Sequence, residues 1–481
     1  MTTTTEKPHV LIVGAGLGGL MLGALLEKAN ILYTIFERAT VVKPLGSAMF
    51  IMAPLLTLFA QLEILDEFVA ISKDLSTFST NHESEGPFST LDYSIMEAIT
   101  GYPGYIVSRP KFYDLLLKQI PTSKILFGRR VVNILEKESK VMVQTTDNRM
   151  FEGDILVGAD GAYSTVRQGM YETLKQQGRL PKTDQEDLPF SCTCLVGQTR
   201  SLDPEVFPVL KEESSQYFLT LARDQPYSVA VFTTKQNTFA WMVLQHLEKA
   251  TSKAAMEQQF KTNESTEWTN PHTATAMCDE TRNIALPIVR AVCEDGGNTS
   301  NKTLTIGDLF DRTDKELISK VTLEEKIFTT WSAGRTVLLG DACHKLHPAA
   351  GQGAVNAMQD AVVLANLIYT LPSNSTSSIT NMFKTYQDER MTPVQASYKT
   401  SQISSKIMTK GFSGAVVRFI FGHLPDWLWR LQLGAAARYA PSVGFLKKAE
   451  SKRKGAVVPD ISESAETARK LFEERRQVEV V

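Results

Sequence analysis

Cysteine is scarce in this chain, five among 481 residues, and the odd total without a regular spacing argues against a disulfide-stapled scaffold and fits a reducing compartment. Charge of one sign is lacking too: 51 lysines and arginines face 53 aspartates and glutamates, a formal net charge of -2. No basic stretch is interleaved with aromatics, so nucleic acid is not an expected partner. No apolar run is long enough to cross a bilayer. The richest, GFSGAVVRFIFGHLPDWLWRLQLGAAARYAPSVGFL, is broken by Arg418, His423, Pro425, Asp426 and Arg430. The opening MTTTTEKP lacks the apolar core of a secretory signal, so the expected location is the cytoplasm and the sequon at Asn298 is not expected to be glycosylated. His344 and His347 have the look of a metal pair, but no carboxylate or cysteine completes a credible ligand spacing around them, and no metal is expected. No internal repeat is present.

What the chain does carry is HVLIVGAGLGG, running into LMLGALLEKA and then YTIFER. The order is a buried strand, a glycine turn, a helix, and a second strand ending in an acid, which is the outline of a dinucleotide site. Gly14 suits the tight turn, Gly16 lets backbone approach a pyrophosphate, and Gly19 lets the helix pack closely on the sheet. The helix N-terminus adds free N–H groups and a partial positive charge. Glu37, about twenty residues past the glycines, is placed to accept hydrogen bonds from an adenosine ribose. Such turns also occur for packing alone; here strand, helix and acid all arrive in order.

Two later segments repeat the theme. In DILVGADGAYSTVRQ an apolar strand delivers Asp160 and Gly161 to its carboxyl end, with Ser164 and Arg167 in the next helical turn. In TVLLGDACHKLHPAAGQGAVNAMQDAVVLANLI another strand leads to Gly340 and Asp341, a proline-bearing loop, and a helix opened by Gly351, Gln352, Gly353 and Ala354. An aspartate at a strand end accepts hydrogen bonds from a polyol, and a glycine-opened helix aims its positive end at electron-rich atoms.

With these three motifs in this order, up to about Gln387, the chain resembles the group A flavoprotein monooxygenases of the para-hydroxybenzoate hydroxylase type. The stretch from Gly340 to Gly353 is most similar to the fungal enzymes that epoxidise or hydroxylate indole-diterpenes and meroterpenoids. The resemblance implies FAD as resident cofactor, with Glu37 on the ribose, Arg109 of YIVSRPKFYDLLL beside the flavin or its phosphates, Asp341 on the ribityl-side hydroxyls, and the backbone N–H of Ala354 at the last helix start. It sets Gly46 and Ala48 beside the flavin, although PLGSAMFI departs from the family's glycine-alanine run. Arg109 also suits an ordinary helix start, and Asp341 also suits a turn cap.

The fold class expected is α/β: a Rossmann-like FAD-binding domain with an inserted antiparallel β-sheet substrate domain and a helical C-terminus. The expected partition is 1–75, 106–185 and 324–395 for the FAD-binding domain, 76–105 for a substrate-domain excursion, and 186–323 for the sheet. Apolar helices follow over 396–450, and a charged, poorly ordered tail over 451–481. The sheet rests on FSCTCLVGQT, SQYFLTLA, YSVAVFTT and TFAWMVL, short β-branched or aromatic runs between polar turns. Cys192 and Cys194 fall on one face of the first of them.

Only one glycine fingerprint is present, so NAD(P)H is expected as a visiting co-substrate that reduces the flavin and leaves. The flavin then reacts with O₂ to give a C4a-hydroperoxide. An enclosed apolar chamber would protect it and accept an apolar or aromatic small molecule to be hydroxylated or epoxidised. Two catalytic candidates lie on the sheet. Tyr217 can donate a proton or orient a substrate oxygen, and Arg200 can stabilise a developing phenolate or enolate; a strand tyrosine is also an ordinary core residue. The alternatives are a reductase or desaturase of prenyl chains, and an escort protein that keeps the fold without flavin. No WxWxIP segment supports a halogenase. The C-terminal apolar helices have two readings, packing on the body or a second subunit, and peripheral contact with a membrane.

Overall fold

The computed structural model describes residues 7–42, 45–83, 86–222, 226–247, 271–295, 298–408, 412–448 and 455–479. The run Val10–Val13 is apolar at every position because both its faces and both its edges are covered: it lies in a parallel sheet between Tyr33–Phe36 and Ile155–Gly158. The sheet continues through Thr336–Leu338 to the antiparallel edge Ser332–Ala333 on one side, and to Ile125–Leu126 on the other. The helix Leu17–Lys28 buries every residue from Leu17 to Leu26, since it is wedged against the sheet and against the long helix Gln352–Tyr369. A three-stranded meander, Val131–Glu136, Val141–Thr145 and Met150–Gly153, precedes the strand that carries Asp160.

A second sheet of nine strands stands apart. Its order runs from Ser319–Glu324 through Phe190–Gln198, Phe239–His246, Tyr227–Thr233, Ser215–Leu221, Ser72–His82 and Tyr105–Ser108 to Ala48–Ile51, with Gly86–Asp92 paired to Ser72–His82. The four strands expected to form an antiparallel sheet do so, and the sheet extends beyond them through one parallel pair. Ser215–Leu221 pairs in parallel with Ser72–His82, because these strands come from distant segments and need no hairpin to join them. The strand Ala48–Ile51 lies inside the segment 1–75, and Ser72–His82 crosses the boundary at 75, yet both belong to this sheet.

Alternation along the strands gives the sheet two different faces. Phe218, Val229, Val231, Trp241 and Val243 point to an outer layer covered by the hairpin Ala285–Asp295/Asn298–Thr305 and the helices Pro271–Thr281 and Ile306–Phe310. Tyr217, Leu219, Ala230, Phe232, Cys192 and Cys194 point inward with Met408. Both cysteines are buried on one face, as the two-residue period predicts.

The C-terminal region is helical: Thr376–Met408, Phe412–Gly422 and Asp426–Arg438. Among the described residues no helix is long and apolar enough to cross a membrane. The expectation of a poorly ordered tail fails over Glu463–Glu479, which is a helix. Its Ala465 and Ala468 are buried, Ser464 is bonded to Glu389, and Gly444 lets it approach so closely that a Cβ there would lie 2.2 Å from the Ala465 carbonyl oxygen.

Candidate active site

Register alone gathers the three glycine-acid motifs. Val13 lies opposite both Phe36 and Gly158, and Gly158 lies opposite Leu338. Gly14, Glu37, Asp160 and Asp341, each just beyond a strand's last residue, therefore meet at one edge of the sheet. Val10–Val13 is followed by a strand on one side of it and Ile155–Gly158 by the sheet's later strands on the other, so the order reverses between them, which is where ligands bind in open α/β sheets.

Three glycines divide the work of the first turn. Gly14 has φ +105°, and a Cβ there would lie 2.5 Å from the Ala159 carbonyl oxygen. A Cβ on Gly19 would lie 2.1 Å from the Gly14 carbonyl oxygen, so turn and helix are held in direct backbone contact. Gly16 is the opposite case. Nothing lies within 4 Å of where its Cβ would be, and no side chain caps the helix that starts after it. That leaves N–H donors beside open space, the arrangement a pyrophosphate needs. Glu37 Oε2 accepts the Ala15 N–H at 3.0 Å and Oε1 accepts the Ala39 N–H at 2.9 Å, which fixes the carboxylate against the turn with lone pairs to spare.

The two later aspartates differ from each other. Asp160 Oδ2 accepts from Thr165 N at 2.6 Å and Val166 N at 3.2 Å, so this oxygen caps a helix rather than serving a polyol. Its Oδ1 is buried with no partner, and burial raises the carboxyl's pKa despite those donors. Asp341 Oδ2 accepts from Lys345 Nζ at 2.6 Å, and its Oδ1 lies 3.9 Å from where a Gly353 Cβ would be. Burial alone would lower the Lys345 pKa; Asp341 overcomes it and raises it. The helix Gln352–Tyr369 opens after Gly351 with no side-chain cap, leaving the first N–H groups, Ala354 among them, at its positive end.

Arg109 begins the helix Arg109–Leu117 and donates from Nη1 to the Leu45 carbonyl at 2.9 Å. Its Cδ is 3.0 Å from where a Gly46 Cβ would be, and Gly46 has φ +113°. Ala48 pairs with Ser108, next to it in sequence. Burial lowers the arginine's pKa while Asp341 pulls the other way. The structure thus brings Gly46, Ala48, Arg109 and Asp341 together.

Tyr217 sits on the inward face of the second sheet, stacked on Phe78 at 4.2 Å and beside Phe232 at 4.5 Å. The same apolar cluster takes in Phe50, Tyr93, Met242 and Ala349, the last from the loop between Asp341 and Gly353. Tyr217 therefore shares one apolar cluster with the Asp341–Gly353 loop. Burial raises its phenol pKa. Arg200 is a correction. Its side chain is 65% exposed and pairs at the surface with Asp314 at 3.8 Å, because the strand ends at Gln198 and the chain turns outward to meet Arg312 and Asp314.

Sequence reasoning also missed what holds the loop in place. Asp360, fully buried in the helix Gln352–Tyr369, binds the Gly340 N–H at 2.9 Å and His344 Nε2 at 2.6 Å through Oδ2, and Arg390 Nε at 2.6 Å through Oδ1. Burial would raise this carboxyl's pKa; His344 and Arg390 prevail and hold it at about 2. The available signal was a lone acid within the apolar run NAMQDAVVLANLI. Arg167 adds a second tie, donating to the carbonyls of Ala342 and Ala162 and so joining two of the motifs. Contrary to expectation, a carboxylate and a cysteine do stand with His344: ligand atoms of Cys343, His344 and Asp360 lie within 4.8 Å of one another. The carboxylate is already shared by a guanidinium, an imidazole and an amide, and Arg390 supplies the cation.

The residues fit a flavin dinucleotide: open space beside Gly16 and Gly161, an orphaned buried oxygen on Asp160, and an uncapped helix facing Asp341. Comparison with known proteins agrees. The FAD binding domain family matches residues 7–283 and 303–401. The chain is 29% identical over 406 residues to the FAD-dependent monooxygenase paxM of Penicillium paxilli, covering 82% of this chain and 77% of that one. It is 26% identical over 416 residues to the FAD-dependent monooxygenase andE of Emericella variicolor, covering 84% and 81%. Klebsiella pneumoniae HpxO, solved with FAD and uric acid, superposes with a TM-score of 0.64 at 18% identity, covering 89% of this chain and 96% of that one. The chain belongs to the FAD-binding domain family and is an FAD-dependent monooxygenase.

Proposed function

We propose that this enzyme inserts one oxygen atom from O₂ into an apolar or aromatic small molecule of secondary metabolism, by hydroxylation or epoxidation, with NAD(P)H as the electron donor. The carrying observation is the convergence of four strand ends, with Gly14, Glu37, Asp160 and Asp341, beside an apolar cluster that bears Tyr217 and takes in Ala349 of the loop after Asp341.

In this reading the N–H groups after Gly16 hold the pyrophosphate and Glu37 holds the adenosine ribose. Asp341 and Asp160 Oδ1 take ribityl hydroxyls, and Arg109 with Gly46 and Ala48 borders the ring system. The uncapped helix start at Gly353 and Ala354 would offer its positive end to negative charge on the bound flavin. FAD, when bound, supplies the electrons and the reaction with O₂. Phe78, Tyr93, Tyr217 and Phe232 exclude water and hold the substrate's apolar surface. The Tyr217 phenol, which burial makes still harder to ionise than an ordinary one, acts there as a hydrogen-bond donor to a substrate oxygen. The exposed apolar helices of the C-terminal region fit peripheral membrane contact as the route by which such a substrate arrives.

The test is NAD(P)H consumption and O₂ uptake by the purified yellow protein against aromatic and terpenoid compounds, with product mass. Substrate-stimulated O₂ uptake with a product heavier by one oxygen supports the reading. Flavin reduction and a hydrogenated or dehydrogenated product, without O₂ incorporation, refutes it.

A further inference from the structure

Exposed large apolar side chains are scattered over the body of this protein, Leu32, Val41 and Val132 among them, but in the C-terminal helices they gather into one patch. Ile403, Val416, Phe419, Ile420, Trp427 and Leu431 are all exposed, Phe419 to 65% and Trp427 and Leu431 each to 66%. The spacing puts them on continuous stripes. Val416, Phe419 and Ile420 fall on one side of the helix Phe412–Gly422, and Trp427 and Leu431 on one side of the helix Asp426–Arg438. Only His423, Leu424 and Pro425 separate the two helices. The second is anchored from its far half, where a Cβ on Gly434 would lie 3.2 Å from Val457 and 3.9 Å from Ile99, so Trp427 and Leu431 project from a fixed base.

Charge in this region is as uneven as hydrophobicity. From Met391 to Lys448 the sequence has eight lysines and arginines and a single acid, Asp426, whereas the whole chain has a net charge of -2. Arg430 and Arg438 are exposed on the same helix as Trp427 and Leu431, and Lys406 is exposed near Ile403. A patch with apolar and aromatic tips among cations, and almost no acids, matches the interface of a bilayer with anionic headgroups. A protein partner of ordinary composition gives no reason for so one-sided a charge.

The patch also borders the apolar cluster around Tyr217. Ile403 stands one helical turn before Ile407 and about one turn from Met408, and these two pack into the apolar cluster that contains Tyr217. Resting on the reading of the chamber as a site for an apolar substrate, we propose that the helices Phe412–Gly422 and Asp426–Arg438 seat this enzyme on an anionic lipid surface. Phe419, Trp427 and Leu431 sink among the headgroups and the neighbouring cations contact them.

The experiment is flotation of the flavin-loaded enzyme with phosphatidylcholine vesicles, with and without about 30% phosphatidylserine. We expect the wild type to float with the anionic vesicles and to be released by added salt. The triple variant Phe419→Ala/Trp427→Ala/Leu431→Ala and the charge variant Lys406→Glu/Arg430→Glu should each bind at least about tenfold more weakly. Val132→Ala/Leu135→Ala, which removes exposed apolar groups from the meander, should bind as the wild type does. No flotation with anionic vesicles, or flotation that the triple variant retains, overturns the proposal. So does wild-type self-association in sedimentation that the triple variant abolishes without any lipid dependence, since the face then covers a second copy. If flotation fails while substrate-stimulated NAD(P)H oxidation persists with substrate supplied in detergent, the membrane seat is lost and the oxygenase reading stands.

Discussion

Replacing Gly16 by alanine tests the dinucleotide site without disturbing the fold, and replacing Gly19 does the reverse. At Gly16 the φ is -73° and nothing lies within 4 Å of the new methyl, so the unliganded protein loses only the advantage of glycine over alanine as a helix cap, about 1 kcal/mol or less. The methyl does occupy the side from which a pyrophosphate must approach the N–H groups. Displacing one charge-assisted hydrogen bond costs about 1.5–3 kcal/mol, which corresponds to roughly a 10- to 150-fold rise in the Kd for FAD. At Gly19 the methyl would lie 2.1 Å from a backbone oxygen, so strand, turn and helix must separate, at a cost of about 1–3 kcal/mol. Fluorescence titration of flavin-stripped protein with FAD measures the first effect, and denaturant unfolding of the same preparations measures the second. If Gly16→Ala bound FAD as tightly as the wild type, the pyrophosphate would not lie at that turn, and the assignment of Glu37 would fall with it.

Asp360→Asn leaves Arg390 and His344 without their shared anion in a fully buried site. Unfolding stability should drop by about 3–5 kcal/mol and flavin content should drop with it, while a loss below about 1 kcal/mol would show that the pair does not hold the Gly340 loop. His347 gives a pH dependence. Burial, with a smaller push from His246, lowers its pKa from 6.5 to about 4, so the folded state prefers it neutral. Its contribution is complete above the unfolded value and is lost as pH falls from 6.5 toward 4, by about 3 kcal/mol at most. His347→Gln should flatten that part of the stability profile, and an unchanged slope would refute the assignment. Arg200→Ala should leave turnover unchanged and stability within about 0.5 kcal/mol; a tenfold fall in kcat would return it to the active site. Tyr217→Phe should keep flavin content and lower turnover by about tenfold or more, and full turnover would make the hydroxyl a bystander.

The three glycine-acid motifs were legible in the sequence because each is local: strand, turn, helix start and acid fall within about thirty residues or fewer, whose backbone demands select glycine and whose strand ends select an acid. The cofactor, the family and the cysteine face at Cys192 and Cys194 followed from such short-range patterns. What only the tertiary structure decided depends on contacts between distant segments. The parallel pairing of Ser215–Leu221 with Ser72–His82 joins strands well over a hundred residues apart, and no turn announces it. Arg200 read as catalytic from its neighbours in sequence, but where a strand stops decides which way the next side chain goes. Asp360 is tied to Gly340, His344 and Arg390 by burial in one place, and a buried ion pair leaves no periodic trace. The docking of Glu463–Glu479 likewise depends on Gly444 at a distant point of the chain; its own charged sequence reads as solvated until that surface is there to receive Ala465 and Ala468.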